Sequence, residues 1–228
     1  MHRAKNFFRS LLILTTLILV SCDREENPSH TVQPAPEPQF QGTIIALGDS
    51  LTAGLGVAES DAWPTLLENK LHQHGFNWRV INAGISGETS SGALARINWI
   101  LAQEPDIVIL ETGGNDGLRG IPTELIRKNI SKAVQMLKEE QVTVVLAGMQ
   151  IVQNLGPEYT DSFTTLYPDI AEEQKILLIP FFLQDVAGEP DLNQPDLIHP
   201  NEKGHGIIVE TVYPLIVKAV QKIRKQQT

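Results

Sequence analysis

From Thr43 onward the chain alternates five times between short apolar runs and longer stretches with helical spacing, and no other feature restricts its fold as strongly. The runs Ile44-Ile45-Ala46-Leu47, Asp106-Ile107-Val108-Ile109-Leu110 and Val142-Thr143-Val144-Val145-Leu146-Ala147 are nearly continuous in apolar, often β-branched residues. They lack the polar/apolar alternation of a strand with one wet face, so they read as parallel strands covered on both sides. Residues 79–82 and 176–179 are shorter segments of the same kind. Between the runs, residues 62–75, 86–103, 123–140, 159–174 and 201–224 carry apolar residues three and four apart, as helices do. In the third of these Leu125, Ile126, Ile130, Val134 and Leu137 form the apolar face. Pro64, Gly75 and Glu104-Pro105 mark helix starts and stops, Pro168 is expected to interrupt the fourth helix, and Pro214 to kink the last. Trp63, Trp78 and Trp99 read as core or interlayer packing. Such alternation implies an α/β architecture, a three-layer α/β/α sandwich around a five-stranded parallel sheet. Right-handed crossovers place every strand's C-terminal end on one rim, where ligands of open α/β sheets bind.

Polar clusters fall on the loops of that rim. Gly48-Asp49-Ser50-Leu51 follows the first strand, and Asn82-Ala83-Gly84-Ile85-Ser86-Gly87-Glu88-Thr89 follows the second. Glu111-Thr112-Gly113-Gly114-Asn115-Asp116 follows the third, and Asp196-Leu197-Ile198-His199-Pro200 precedes the last helix. Taken alone, Ser50 is equally a helix N-cap or a nucleophile. Together the clusters fill every role of acyl transfer to water: a nucleophile, its base, a group orienting the base, and donors for the oxyanion. Ser50 would attack, His199 would take and return the proton, and Asp196 would hold the imidazolium. The N–H groups of Ser50 and Gly87 and the side-chain amide of Asn115 would be the oxyanion donors.

Other polar residues read as structural. Asp49 and Asp116 anchor loops by hydrogen bonds, and Ser86, Ser90 and Ser91 serve turns and caps. His72 and His74, two apart on a helix, cannot share a metal ion, and His205 is a packing or surface residue. Glu88 either disfavours anionic substrates beside the oxyanion loop or faces solvent. Ile151, Val152, Leu155 and Tyr159, just past the fourth strand and followed by Phe163, are candidate walls of an acyl pocket and could equally be core.

The blocks Gly48-Asp49-Ser50-Leu51, Gly87, Gly113-Gly114-Asn115-Asp116 and Asp196-Leu197-Ile198-His199 resemble the SGNH or GDSL hydrolases over roughly residues 43–215. Within that family ALGDSLTAGLGV, NAGISGETSSGALAR, GGNDGLRG and IHPN look like the thioesterase I, lysophospholipase and arylesterase branch. The resemblance implies a flavodoxin-like sheet of order 2-1-3-4-5, no metal or organic cofactor, and hydrolysis of a small-molecule acyl ester or thioester through a Ser50 acyl-enzyme. The same blocks also serve carbohydrate acetylesterases, and a tethered binding module without turnover is the non-enzymatic alternative. No Gly-x-Ser-x-Gly elbow is present, because Leu51-Thr52 follows Ser50.

Residues 1–21 have the form of a signal peptide, with Arg3, Lys5 and Arg9 before an apolar core from Leu11 to Val20. Leu19-Val20-Ser21-Cys22 resembles the bacterial lipobox, which would lipidate Cys22 and tie the protein to a bacterial membrane, facing the periplasm or the cell surface. Cys22 is the only cysteine, so no disulfide is available. The Pro-rich segment 22–41 reads as a tether, leaving residues 42–228 as the hydrolase domain. The chain carries a formal charge of −9; loss of the three basic signal residues leaves 15 basic against 27 acidic groups, a net −12. That balance argues against a nucleic-acid partner, and a monomer is expected.

Overall fold

The central strand β1 (Thr43–Gly48) pairs in parallel with β2 (Arg79–Gly84) on one side and β3 (Ile107–Glu111) on the other. The sheet continues through β4 (Thr143–Ala147) to β5 (Leu177–Ile179), giving the order β2-β1-β3-β4-β5 expected of the flavodoxin-like arrangement. This computed structural model describes residues 39–151 and 153–227. The expected signal peptide, Cys22, most of the expected tether and Val152 lie outside the described residues. Gln41 donates its N–H to the Asn77 carbonyl at 2.7 Å, Asn77 donates to the Gln39 carbonyl, and the Phe40 ring stacks on His72. Residues 39–41 are thus joined to the folded unit.

Every residue of β3 is buried and so is β1 beyond Thr43, which accounts for their unbroken apolar sequence. The helices on the two faces are α1 (Ser50–Ala53), α2 (Trp63–Gln73), α3 (Ser90–Ala95), α4 (Ile97–Leu101), α5 (Gly114–Leu118), α6 (Thr123–Glu139), α7 (Pro157–Gln174) and α8 (Glu202–Gln227). Helix α6 buries Ile126, Ile130, Ala133, Val134 and Leu137, whereas Leu125 stands one residue off that stripe and is exposed.

The segment expected as one helix over 86–103 is broken at Arg96 (φ −106°, ψ 10°), which ends α3 and starts α4. In α4, Ile97 and Ile100 face the core, so Trp99 points outward and is 55% exposed, against the packing role expected of it. Helix α7 begins at Pro157, in the favoured first turn, and runs through Pro168 without interruption. Pro168 and Thr164 are both on the solvent side, so water can satisfy the carbonyl that the proline leaves unbonded. Phe163, Leu166, Tyr167 and Ile170 hold the opposite face in the core, and their burial outweighs the local cost of the proline. Pro214 likewise lies inside the continuous α8.

Trp63 and Trp78 are buried as expected, and the Trp63 ring meets Phe182 edge to face. The N–H of Trp63, unsatisfied by its own helix, donates to His205 Nδ1 at 3.2 Å. Burial pushes His205 down to about 4, against a smaller upward pull from Asp61. The folded state thus refuses a proton that the unfolded chain accepts, so stability falls as pH drops from the ordinary histidine range of about 6.5 towards 4. His205→Asn keeps an acceptor for Trp63 without the titration. Its urea midpoint is expected to fall less steeply than that of the wild type over that window; parallel slopes would contradict the assignment.

Candidate active site

Helix α1 starts on Ser50, but the residue that caps it is Asp49. Its Oδ1 accepts the N–H of Leu51 at 2.9 Å, which leaves the Ser50 hydroxyl free for another partner. That partner is His199, whose Nε2 lies 3.0 Å from Ser50 Oγ. His199 Nδ1 in turn lies 2.6 Å from Asp196 Oδ2. Residues 149 apart in sequence thus meet on the rim, because β1 delivers Ser50 and the turn before α8 delivers the other two. A side chain at Gly84 would place its Cβ 2.1 Å from the backbone nitrogen of Ala53, so only glycine lets α1 rest directly on the end of β2.

The turn at 196–199 is fixed by one carboxylate. Asp196 Oδ1 accepts the N–H groups of Ile198 at 2.9 Å and His199 at 3.0 Å, while Oδ2 takes the His199 ring. The N–H of His199, then its ring, then the N–H of Ile198 hold the Asp196 carboxyl far below the usual carboxylate range. Leu197, in the middle of the turn, has φ +58°, a left-handed conformation that costs a non-glycine residue about 1 kcal/mol or more. The strain turns Asp196 and His199 to the same side.

Beneath Ser50 lies a pair of buried acids. Glu111, at the end of β3 and fully enclosed, accepts through Oε2 the N–H of Asp49 at 3.1 Å and the hydroxyl of Thr52 at 2.9 Å. Asp49 Oδ2 accepts from Asn115 Nδ2 at 2.9 Å. Burial raises both carboxyl groups above their usual range, Glu111 further, with the nearby Asp49 charge adding to it. Of the two carboxyls, Glu111 is therefore the one favoured to keep a proton. Glu111 Oε1 and Thr112 Oγ1 have no partner among the described residues.

Two further networks hold the second loop. Arg96 grips Glu88 through Nε and Nη2 at 2.7 and 2.8 Å, and Nη2 also reaches the carbonyls of Ala83 at 2.6 Å and Gly48 at 3.3 Å. Both side chains of this ion pair are nearly buried, so Glu88 neither faces solvent nor stands free to repel an anion. Asp116 accepts the N–H and hydroxyl of Ser90, and Asn129 donates to Ser90 and Ser91. Arg119 Nη2 donates to the carbonyl of Gly87, whose φ is +79°. The N–H groups of Ser50 and Gly87 meet no acceptor among the described residues, and Asn115 spends one of its two amide hydrogens on Asp49. The two N–H groups and the second Asn115 hydrogen are thus unspent among the described residues.

A hollow of about 240 Å³ opens over this cluster. Leu118, Met149, Ile151, Leu183, Leu197 and Ile198 form its apolar wall, and Ser50, Asn115 and His199 its polar floor. Ile151 lies in this wall. Leu155 and Tyr159 do not: with Pro122, Thr123 and Ser162 they line a separate, wider depression, and the Tyr159 hydroxyl is spent on the Ile121 carbonyl at 2.6 Å. The 3-10 turn Gln153–Leu155 comes between Ile151 and the start of α7 and carries the chain away from the hollow. His72 bonds the Trp78 carbonyl and His74 packs on Tyr213, so each is committed to structure. Among the described residues no three His, Cys, Asp or Glu side chains converge as a metal site.

Glu111 and Arg96 carry no weight in the sequence reading, although each left a trace there. Glu111 closes an otherwise apolar buried strand, and Arg96 sits four residues before Ile100 on a face that is otherwise apolar. A charge in such a place needs a buried partner.

Residues 46–207 match the GDSL-like Lipase/Acylhydrolase family. Esterase TesA of Pseudomonas aeruginosa is 40% identical over 175 residues, covering 76% of this chain and 87% of that protein. An arylesterase of Vibrio mimicus is 40% identical over 181 residues, 79% of this chain and 90% of that one. The crystal structure of TesA superposes with a TM-score of 0.75 at 39% identity, covering 78% of this chain and 99% of the other. That of the psychrotrophic esterase EstA from Pseudoalteromonas sp., inhibited by monoethylphosphonate, gives 0.75 at 38% identity over 79% and 99%.

The buried acids set a slope of stability against pH. Because folding raises the affinity of Glu111 for its proton, the wild type loses stability as pH climbs from the ordinary carboxylate range towards the raised value. Glu111→Gln presents the same acceptor to Asp49 and Thr52 without a titrating group. Thermal melts between about pH 4 and pH 9 are expected to show a flatter decline for the variant, and equal declines would show that Glu111 is not held protonated.

Proposed function

Because the chain belongs to the GDSL-like lipase/acylhydrolase family, we infer that the rim cluster is the active site of a serine esterase acting on carboxylic esters and thioesters of acyl groups. The observation that carries this reading is the continuous chain Ser50 Oγ, His199 Nε2, His199 Nδ1, Asp196 Oδ2, with contacts of 3.0 and 2.6 Å. Two similar proteins bear the names arylesterase and thioesterase 1/protease 1/lysophospholipase L1, which sets the substrate class.

The reaction follows from the geometry. With its Nδ1–H donated to Asp196, His199 presents a bare Nε2 to the Ser50 hydroxyl. As Ser50 Oγ bonds to the substrate carbonyl carbon, its proton passes to Nε2, and the carbonyl π electrons move onto oxygen. The N–H groups of Ser50 and Gly87 and the free amide hydrogen of Asn115 receive that oxyanion. When the carbon–oxygen or carbon–sulfur bond to the leaving group breaks, His199 returns the proton to the alcohol or thiol. Water then attacks the acyl carbon with His199 again as base; the bond between that carbon and Ser50 Oγ breaks, His199 returns the proton to Oγ, and the carboxylic acid leaves. The apolar wall of the hollow accepts the acyl chain.

We also propose that residues 1–21 are removed as a signal peptide and that lipid on Cys22 tethers the enzyme to a bacterial membrane, facing the periplasm or the cell surface. The motif Leu19-Val20-Ser21-Cys22 and the Pro-rich segment behind it support this. Among the described residues no helix is long and apolar enough to cross a membrane.

Ser50→Ala is expected to abolish release of p-nitrophenol from short acyl esters with the melting temperature unchanged; retained turnover would refute the nucleophile. Asn115→Ala is expected to lower kcat about 10²-fold with little change in KM, and a loss confined to KM would place Asn115 outside the oxyanion site. Cys22→Ala is expected to move the protein from the membrane pellet to the soluble fraction and to end palmitate incorporation, whereas continued labelling would rule out lipidation at that residue.

A further inference from the structure

Nine large apolar side chains are exposed among the described residues, and six of them lie on the segments that follow the C-terminal ends of the strands or precede α8. Leu55 follows β1, Ile85 follows β2, Leu118 lies after β3, Leu155 after β4, and Leu197 and Ile198 precede α8. Each is between 41% and 50% exposed except Leu118 at 55%. Leu118, Leu197 and Ile198 border the hollow, but Leu55, Ile85 and Leu155 do not touch it. An acyl pocket therefore accounts for only half of the six. Scattered exposed leucines need no explanation, whereas six concentrated on the segments at one end of the sheet mark an interaction surface.

We propose that this apolar set seats the catalytic rim on the surface of a zwitterionic phospholipid bilayer, so that acyl substrates enter the hollow from the lipid phase. The inference rests on the esterase reading above and adds how that site meets its substrate. Two observations select a bilayer as the occupant. Arg119 is exposed at the same end of the sheet beside Gly87, meets no carboxylate among the described residues, and spends only one N–H on a carbonyl. Its remaining donors suit a headgroup phosphate. The excess of acidic residues in the mature chain, 15 basic against 27 acidic groups, a net −12, opposes anionic lipid and leaves zwitterionic headgroups as the fitting surface.

The reach of the chain permits this orientation even with a lipid on Cys22. The domain is entered at Gln39, ahead of the N-terminal end of β1 and so at the end of the sheet opposite the rim. Residues 22–39 can span up to about 55 Å, while a domain of this size is about 40 Å across. An anchored molecule can thus turn its rim to the same membrane that holds it.

Leu55→Ser/Ile85→Ser tests the proposal, since neither side chain belongs to the catalytic or oxyanion set or to the wall of the hollow. The full mature chain is assayed on a soluble short-chain p-nitrophenyl ester and on a long-chain fluorogenic acyl ester embedded in phosphatidylcholine vesicles. The variant is expected to lose about tenfold or more in vesicle activity while keeping its soluble activity. Equal retention in both assays would overturn the docking surface, and an equal loss in both would instead make these side chains part of the catalytic scaffold. Failure of the wild type on the soluble ester would sink the esterase reading itself. Ile85→Trp gives an independent readout. Its fluorescence is expected to shift to the blue on adding phosphatidylcholine vesicles; no shift, or a shift that depends on protein concentration without lipid, as contact between copies would produce, contradicts a lipid partner.

Discussion

The contact on which the rest of the rim depends is the one between Glu111 and the backbone N–H of Asp49. It joins the ends of the two central strands at the point where β1 must stop, turn and present Ser50. A glutamate in so enclosed a place would be costly as an anion, because nothing among the described residues pairs with its second oxygen. As a neutral acid it is a fixed acceptor for Asp49 and Thr52, and it leaves the single negative charge to Asp49. That charge then orients two donors, the N–H of Leu51 and the amide of Asn115. One buried acid pair thus sets the start of α1 and the orientation of the Asn115 amide together. Removing the acceptor at Glu111 would strand two buried donors, each at a cost of about 1–3 kcal/mol.

The other two parts of the rim have their own supports. Arg96 ties the Gly87 loop to the carbonyls that close β1 and β2, through an ion pair with Glu88 that is almost wholly enclosed. Such a pair is weak support for overall stability, since desolvation offsets much of its attraction, but breaking it would leave an uncompensated charge. Its geometric effect is to fix the distance between the loop bearing Gly87 and the strand bearing Ser50. Asp196 fixes its own turn, accepting two backbone N–H groups and the His199 ring with one carboxylate. The reacting groups are therefore held in place before any substrate arrives, as electrostatic stabilisation of an oxyanion requires.

The sheet and its order were legible from residue pattern and family resemblance because buried parallel strands leave long apolar runs, and the four polar blocks were legible because each interrupts such a run at its end. What escaped the pattern depended on tertiary contact. The helix expected over 86–103 breaks at Arg96 because its guanidinium is drawn to Gly48, Ala83 and Glu88, partners that no local propensity registers. Pro168 stays inside α7 because the opposite face is packed and the free carbonyl is wet. Trp99 is exposed through a phase difference of one residue on a short helix. Leu155 and Tyr159 were apolar and close in sequence to Ile151, yet the turn between them directs the chain elsewhere. Glu111 looked like an ordinary loop acid, and only its enclosure at the end of β3 shows its use.

All of these supports converge on one atom, Ser50 Oγ, held 3.0 Å from His199 Nε2. Its reactivity is tested most directly by incubating the intact protein with a fluorophosphonate and locating the adduct by peptide mass spectrometry. The account predicts a single stoichiometric adduct on Ser50, formed far more slowly in His199→Ala. No adduct, or an adduct on another residue at the same rate in both proteins, would contradict it.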